Sequence, residues 1–401
     1  MFMFVVNMIQ KTFQHILIDI DTRGQRPMIS ASAPGKCVLF GEHAVVYGQP
    51  ALAIALDLRT TVSINTSDML VMEGRQFYPS KHPHIAFLLS KLWNNTESHP
   101  PLSIDIESAI PSASGLGSSA ALSTALAACL RAGRGRYVDK NEQWQEGWSS
   151  FFRQHNAYTN EDEPFISTSD LKLKQAQDAV SVDECSLLGH AAEAFAQGGL
   201  ASPMDTSTSA HGGGILLSPT IGNHFTYTRS LDVHGSERTW NIHNFMPTFP
   251  EGTYIVVGAT GVHASTKKQV EHVAQLVASS EKYREYITTI GEITTQGAAA
   301  LSTGDMEQVG VLMNQNQILL ERLEVSSTPL RRLIRAAFPT SFGVKLSGAG
   351  GGGCMIALTD QPEQTAEAIL SAGGSPYITS MSQTGVKLES YHSLLCGKKT
   401  Q

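Results

Sequence analysis

The sequence predicts a mixed α+β protein of two domains, and three observations carry that expectation. From Met28 onward, short apolar runs separated by Gly and Pro read as strands and tight loops, whereas the stretch from Ser265 to Leu323 is patterned as long helices. Glycine-rich turns stand where one element hands over to the next, at "SGLGSSA" (114–120) and "SGAGGGGC" (347–354). At 401 residues the chain is also long for a single core.

Bulk composition excludes several classes. Hydrophobic residues at 41% and charged residues at 16% describe a soluble globular chain without wholesale disorder. A net charge of −7 gives no general attraction to nucleic acid or to an anionic membrane, and no run of Lys and Arg interleaved with aromatics makes a local exception. The five cysteines are scattered and form no C-x-x-C pair, which argues against a disulfide framework or a zinc cage and for a reducing, cytoplasmic compartment. The first 27 residues begin apolar, but Asn7, Gln10 and Lys11 interrupt them too early for a membrane span. Asp19 and Asp21 oppose a mitochondrial presequence, leaving an added strand or a frayed tail.

The elements follow in order. "LSIDIES" (102–108) alternates strictly and predicts a strand that feeds "PSASGLGSSAALSTAL" (111–126), a loop opening into an alanine-rich helix closed by Gly133. Residues 134–182 are polar and irregular and read as a surface insertion. "DECSLLGHAAEAFAQGG" (183–199) is a helix closed by two glycines. A hairpin-like passage around "NHFTYTRSLDVHGSERTW" precedes the buried strand "TYIVVGATG" (253–261). Two long helical segments follow, then the Gly-rich turn into "CMIALT" and a last strand at "GVKLESYHS". We place the domain cut between 28–228 and 229–396.

Three stretches bear on chemistry. "SGLGSSA" has the small residues that let backbone N–H groups converge on an anion at a helix start. It is neither G-x-x-x-x-G-K-[ST] nor G-x-G-x-x-G, and alone it reads equally as a closely packed helix start. In "SGAGGGGC", five glycines among eight residues carry a large entropic cost, which points to a backbone approached closely by something bulky or anionic. "APGKCVLFGEHAVVYGQ" (33–49) adds a cation, Lys36, with Glu42 and His43 close behind.

Together the three stretches resemble the three motifs of the GHMP kinase superfamily, the galacto-, homoserine, mevalonate and phosphomevalonate kinases. The first stretch is similar to the form found in the mevalonate kinase branch. The resemblance runs from about Met28 to the last strand and leaves out residues 1–27 and 134–182. It implies a GHMP kinase fold: an N-terminal domain with a left-handed βαβ unit and a C-terminal ferredoxin-like α/β domain. It also implies ATP-dependent, Mg²⁺-supported phosphorylation of mevalonate to 5-phosphomevalonate. A homodimer and feedback inhibition by prenyl diphosphates are implied as well.

The same resemblance assigns roles by position. Pro111, Ser114, Gly115, Leu116, Gly117, Ser118 and Ser119 would wrap the nucleotide phosphates, with Ser347, Gly348, Ala349 and Gly350 closing over them or bracing the cradle. Ser119 and Glu193 would hold Mg²⁺, and Asp205 would act as base with Lys36 as its electrostatic partner. Glu42, His43, Thr266 and Lys267 would face the acceptor. One departure stands out: in place of the His-Gly-x-Pro-Ser-Gly-x-Asp found in many members of that branch, this chain has "QGGLASPMD", ending on Asp205. Phosphomevalonate kinase, another small-molecule kinase of the superfamily, and an inactive metabolite sensor are the competing readings. A structural scaffold gives no reason for "GAGGGG".

Overall fold

The computed structural model describes residues 28–93, 101–111, 114–134, 136–138, 144–146, 180–198, 201–222, 225–233 and 236–391. The leading segment and nearly all of the expected insertion lie outside these, apart from a short ribbon, β6 (Arg136–Val138) with β7 (Trp144–Glu146).

One sheet of nine strands organises the first half. The long strands β1 (Ile29–Phe40) and β2 (Ala51–Thr66) run antiparallel along most of their length. Every residue of β1 is buried, as a strand covered on both faces requires. The far half of β2 pairs with the predicted strand β5 (Leu102–Ser108), and its first residues pair with β8 (Gly214–Ser218). Outside β5 lie β3 (Val71–Met72) and β4 (Arg75–Gln76). Outside β8 come β10 (Ser236–Phe245) and β9 (Phe225–Val233).

Four helices cover this sheet: α1 (Pro83–Leu92), α2 (Ser118–Arg134), α3 (Val182–Ala196) and α4 (Met204–His211). The alanine-rich stripe of α2 lets it lie close on β1 and β2, and Ala121, Ala125 and Ala128 are all buried. Helix α4 is unusual in composition, because Thr206, Ser207, Thr208 and Ser209 are fully buried. Their hydroxyls mostly turn back into the structure: Thr208 Oγ1 donates to Met204 O at 2.7 Å, and Ser207 Oγ meets Tyr227 OH at 3.0 Å. Small side chains thus buy close packing that longer helix formers would deny.

The second half is a β-α-β-β-α-β unit. Its sheet of four antiparallel strands has the order β12-β13-β11-β14, formed by β11 (Tyr254–Ala259), β12 (Gly343–Ser347), β13 (Cys354–Thr359) and β14 (Ser375–Thr379). Taken in chain order this is 4-1-3-2, the ferredoxin-like arrangement. Between β11 and β12 run α5 (Thr266–Ser279), α6 (Glu281–Thr303), α7 (Met306–Arg322) and α8 (Thr328–Ala337), and α9 (Pro362–Ser371) joins β13 to β14.

The expected cut between residues 228 and 229 falls inside β9. That hairpin stays in the large sheet because β10 pairs along β8, and the chain leaves only after Phe245. It returns at the end, where β15 (Lys387–Tyr391) pairs with β1. The halves are also packed directly together: a Cβ on Gly297 of α6 would stand 2.4 Å from the Phe40 ring.

Candidate active site

A cleft of about 690 Å³ opens between the halves. Its floor comes from β1, the glycine loop before α2 and the start of α4, and its far wall from Thr266 and Val270 of α5 and from Gly348 and Ala349.

Lys36 is the point on which the site is hung. The register of β1 against β2 shifts between Pro34 and Gly35, immediately before it. Its backbone N–H donates to Leu116 O at 2.9 Å. Its Nζ donates to Gly115 O at 3.0 Å and pairs with Asp205 Oδ1 at 3.1 Å. One buried cation therefore joins the glycine loop to the carboxylate. Gly115 and Gly117 both have left-handed φ, at 78° and 72°. A Cβ on Gly117 would lie 3.0 Å from Lys36 Cγ, so the lysine stem crosses where a side chain would stand. Gly117→Ala is expected to lose about 1–2 kcal/mol from its backbone conformation alone, and to displace Lys36. Chemical unfolding and nucleotide titration measure the two effects.

Within the loop, Gly115 and Ser119 face the opening while Leu116 is buried as an anchor. The Ser114 hydroxyl is buried and donates to Pro111 O at 2.7 Å, so it holds the loop's own shape. The loop ends on the first turn of a 17-residue helix, whose unpaired N–H groups and dipole favour an anion.

Asp205 sits in the first turn of α4 and keeps 41% of its side chain exposed to the cleft. Beside it, Met204 anchors the helix in a small apolar cluster with Val38, Ala53, Ile215 and Ile242. Glu193, on α3, is only 5% exposed. Its Oε2 accepts from Gln197 Nε2 at 2.6 Å, while its buried Oε1 makes no protein hydrogen bond and stands 3.4 Å from His84 Nε2. Burial pushes the Glu193 carboxyl up to about 7, against the Ser119 hydroxyl; the Asp205 charge adds to the rise, and Gln197 and Lys36 oppose it.

That is the environment of a carboxylate short of positive charge. Among the described residues no group of three or more His, Cys, Asp or Glu converges on a metal position. Glu193 and Ser119 would supply two oxygen ligands, with the rest coming from phosphate and water, and this ligand set suits Mg²⁺. A stability effect follows. The folded carboxyl lies above its ordinary value of 4.5, so the native state holds the extra proton between about 4.5 and 7. Its contribution to stability is complete below that window and lost as pH rises through 7. Glu193→Gln stays neutral, so at pH 8 the metal-free variant is expected to be more stable than wild type by about 3 kcal/mol. Urea titrations at pH 5 and pH 8 measure this.

Other expected residues are placed differently. Glu42 lines the cleft, but its carboxylate is occupied by a buried pair with Lys345 Nζ and by Asn316 Nδ2 at 3.1 Å. His43 also lines the cleft, at a left-handed φ of 60° that is strained for a residue with a side chain. Its Nε2 meets Ala349 O at 2.9 Å, and burial lowers its imidazole below the ordinary value, so the ring fastens the β1–β2 connection to the third motif. Thr266 lines the cleft, whereas Lys267 points away, 71% exposed and 3.9 Å from Glu271.

Ser347 is buried, its Oγ accepting from Val38 N at 3.0 Å and donating to Val38 O at 3.2 Å. Most of the third motif's glycines are explained by the protein's own backbone. A Cβ on Gly350 would strike Val325 O at 2.3 Å, and one on Gly352 would strike Val262 O at 2.4 Å. Only Gly348, with nothing within 4 Å, and Ala349 belong to the open wall. The motif braces more than it cradles. Sequence reasoning passed over Lys345, Asn316, Gln197 and His84. A lysine inside the apolar run "FGVKLSG" was the one local signal for any of them.

An anion cradle at a helix start, a lysine-tied carboxylate and a second, buried carboxylate in one cleft are the equipment of a small-molecule kinase. Residues 84–147 match the family described as GHMP kinases N terminal domain, and residues 298–379 match GHMP kinases C terminal. Mevalonate kinase of Pyrococcus abyssi is 30% identical over 394 residues, covering 90% of this chain and 98% of the relative. Mevalonate kinase of Thermococcus onnurineus is 31% identical with the same coverage. The crystal structure of Methanococcus jannaschii mevalonate kinase shares the fold at a TM-score of 0.60, with 24% identity, 90% of this chain and 99% of that one covered. The chain belongs to the mevalonate kinase family of the GHMP kinases.

Proposed function

We propose that this chain transfers the γ-phosphoryl group of ATP to the C5 hydroxyl of mevalonate, giving 5-phosphomevalonate. The observation that carries the mechanism is the 3.1 Å contact between Lys36 Nζ and Asp205 Oδ1 at the edge of the glycine loop. Asp205, open to the cleft, accepts the hydroxyl proton as the alcohol attacks. Lys36 stabilises the developing alkoxide and holds the loop through Gly115 O. The N–H groups of the loop and of the first turn of α2 bind the phosphates. Glu193 and Ser119 would hold Mg²⁺, which would supply positive charge to offset that of the phosphates.

Charge also favours mevalonate over its phosphorylated product as acceptor. Among the described residues lining the cleft, Lys36 is the single Lys or Arg, and a phosphorylated acceptor calls for more. Supplying ATP with mevalonate or with 5-phosphomevalonate, and following ADP release, tests the proposal. Turnover with mevalonate alone is expected. Turnover only with the phosphorylated acceptor would establish the rival kinase, and ATP binding without turnover would establish a sensor.

Homodimer formation and prenyl diphosphate inhibition competitive with ATP belong to the same proposal. Light scattering and inhibition kinetics test them. We also place the protein in the cytoplasm; among the described residues no helix is long and apolar enough to cross a membrane.

A further inference from the structure

Behind Asp205 stands a polar relay that the proposed chemistry does not use. His190, on α3, is 1% exposed. Its Nδ1 receives a hydrogen bond from Arg229 Nε of β9 at 3.0 Å, and its Nε2 lies 3.1 Å from Ala201 O. A guanidinium can only donate, so Nδ1 must present its lone pair and the ring proton must reside on Nε2, donating to Ala201 O. The tautomer is set by the neighbours. Burial also pushes the imidazole down to about 4, the Arg229 charge adding to the fall while the bond to Ala201 opposes it, so the ring is neutral at physiological pH. The Trp240 ring packs against the imidazole edge-on, with centroids 5.8 Å apart.

Ala201 and Ser202 line the cleft and lead through Pro203 directly into the turn that carries Asp205. His190 lies one turn before Glu193 on α3, so one helix holds both the buried carboxylate and the loop that precedes the base.

We infer that His190 and Arg229 are positioning residues, a tautomer-locked clamp that fixes the 201–205 segment and thereby the carboxylate of Asp205 against Lys36. The inference rests on the reading of Asp205 as base. A shift of the order of 1 Å in a reacting group costs about a hundredfold in rate, so the clamp acts on turnover and not on nucleotide affinity.

The test compares His190→Leu, His190→Gln and Arg229→Met, with Asp205→Asn in parallel, in mevalonate turnover and in binding of a non-hydrolysable ATP analogue. His190→Leu is expected to lower kcat about 10- to 100-fold and to leave the Kd of the analogue within about twofold. Glutamine has an amide donor and a carbonyl acceptor, and His190→Gln is expected to recover kcat to within about threefold of wild type. Arg229→Met reads the same relay from a half-buried position should H190L fail to fold. Combining it with H190L is expected to add less than about twofold, as members of one network do. The clamp is overturned if H190L keeps wild-type kcat, if H190Q is as impaired as H190L, or if analogue binding falls in step with kcat. Full turnover by D205N together with a slow H190L would remove the base and leave the clamp. A dead D205N beside a fully active H190L would do the reverse.

Discussion

Replacing Asp205 by Asn is expected to lower mevalonate turnover by about 10²- to 10⁴-fold, the range that general-base catalysis supplies, while nucleotide binding stays within a few-fold of wild type. Asn preserves the shape of the residue and an oxygen within reach of Lys36 Nζ, now 3.1 Å from Asp205 Oδ1. What it removes is the ability to take a proton. The cradle should survive, because Lys36 is also held by Gly115 O at 3.0 Å and by Leu116 O at 2.9 Å through its own backbone. Loss of kcat with retained affinity for an ATP analogue separates removal of the base from collapse of the site. Turnover undiminished in D205N would exclude Asp205 as the base.

What could be read beforehand was local. The strand at 102–108, the helix from Ser118 and the glycine turn between β12 and β13 each announce themselves within a dozen residues, through alternation, composition or clustered glycine. Their joint resemblance to one family brought Lys36, Glu193 and Asp205 forward, and the fold gathers all three around one cleft. Long-range pairing was not legible. Nothing near residue 228 shows that β9 and β10 stay with the first sheet, since that follows from the edge offered by β8. Nor does "GVKLESYHS" show that it closes against β1.

The third motif is instructive because its glycines point to close approach by something bulky or anionic, over the phosphates or as a brace, and much of that approach is made by Val325 and Val262. A glycine run reports close approach without naming what approaches. His190 was harder still: one histidine in "LLGHAAEAF" is indistinguishable from an ordinary core histidine until Arg229 and Ala201 are seen on its two nitrogens.

The largest stability effect is expected at Lys345. Its ammonium is fully buried and pairs with Glu42, whose side chain is 1% exposed. Lys345 Nζ also donates to Leu346 O at 2.7 Å, and Asn316 Nδ2 donates to the other carboxylate oxygen of Glu42. Lys345→Met keeps most of the volume and the apolar stem but strands the Glu42 charge in the interior with Asn316 as its remaining partner. Breaking a buried pair from one side costs about 3–5 kcal/mol, which urea unfolding should report as a lower midpoint at unchanged slope. Removing both charges, in K345M combined with Glu42→Leu, is expected to recover much of that loss, because two apolar groups need no compensation. If K345M costs less than about 1 kcal/mol, the range of a solvent-exposed pair, Glu42 is not isolated from water in the way its burial implies. The pair joins β12 of one half to the loop after β1 of the other, immediately before His43 and its bond to Ala349. A double variant that regains stability but not turnover would therefore show that the charges align the two walls of the cleft beyond holding the halves together.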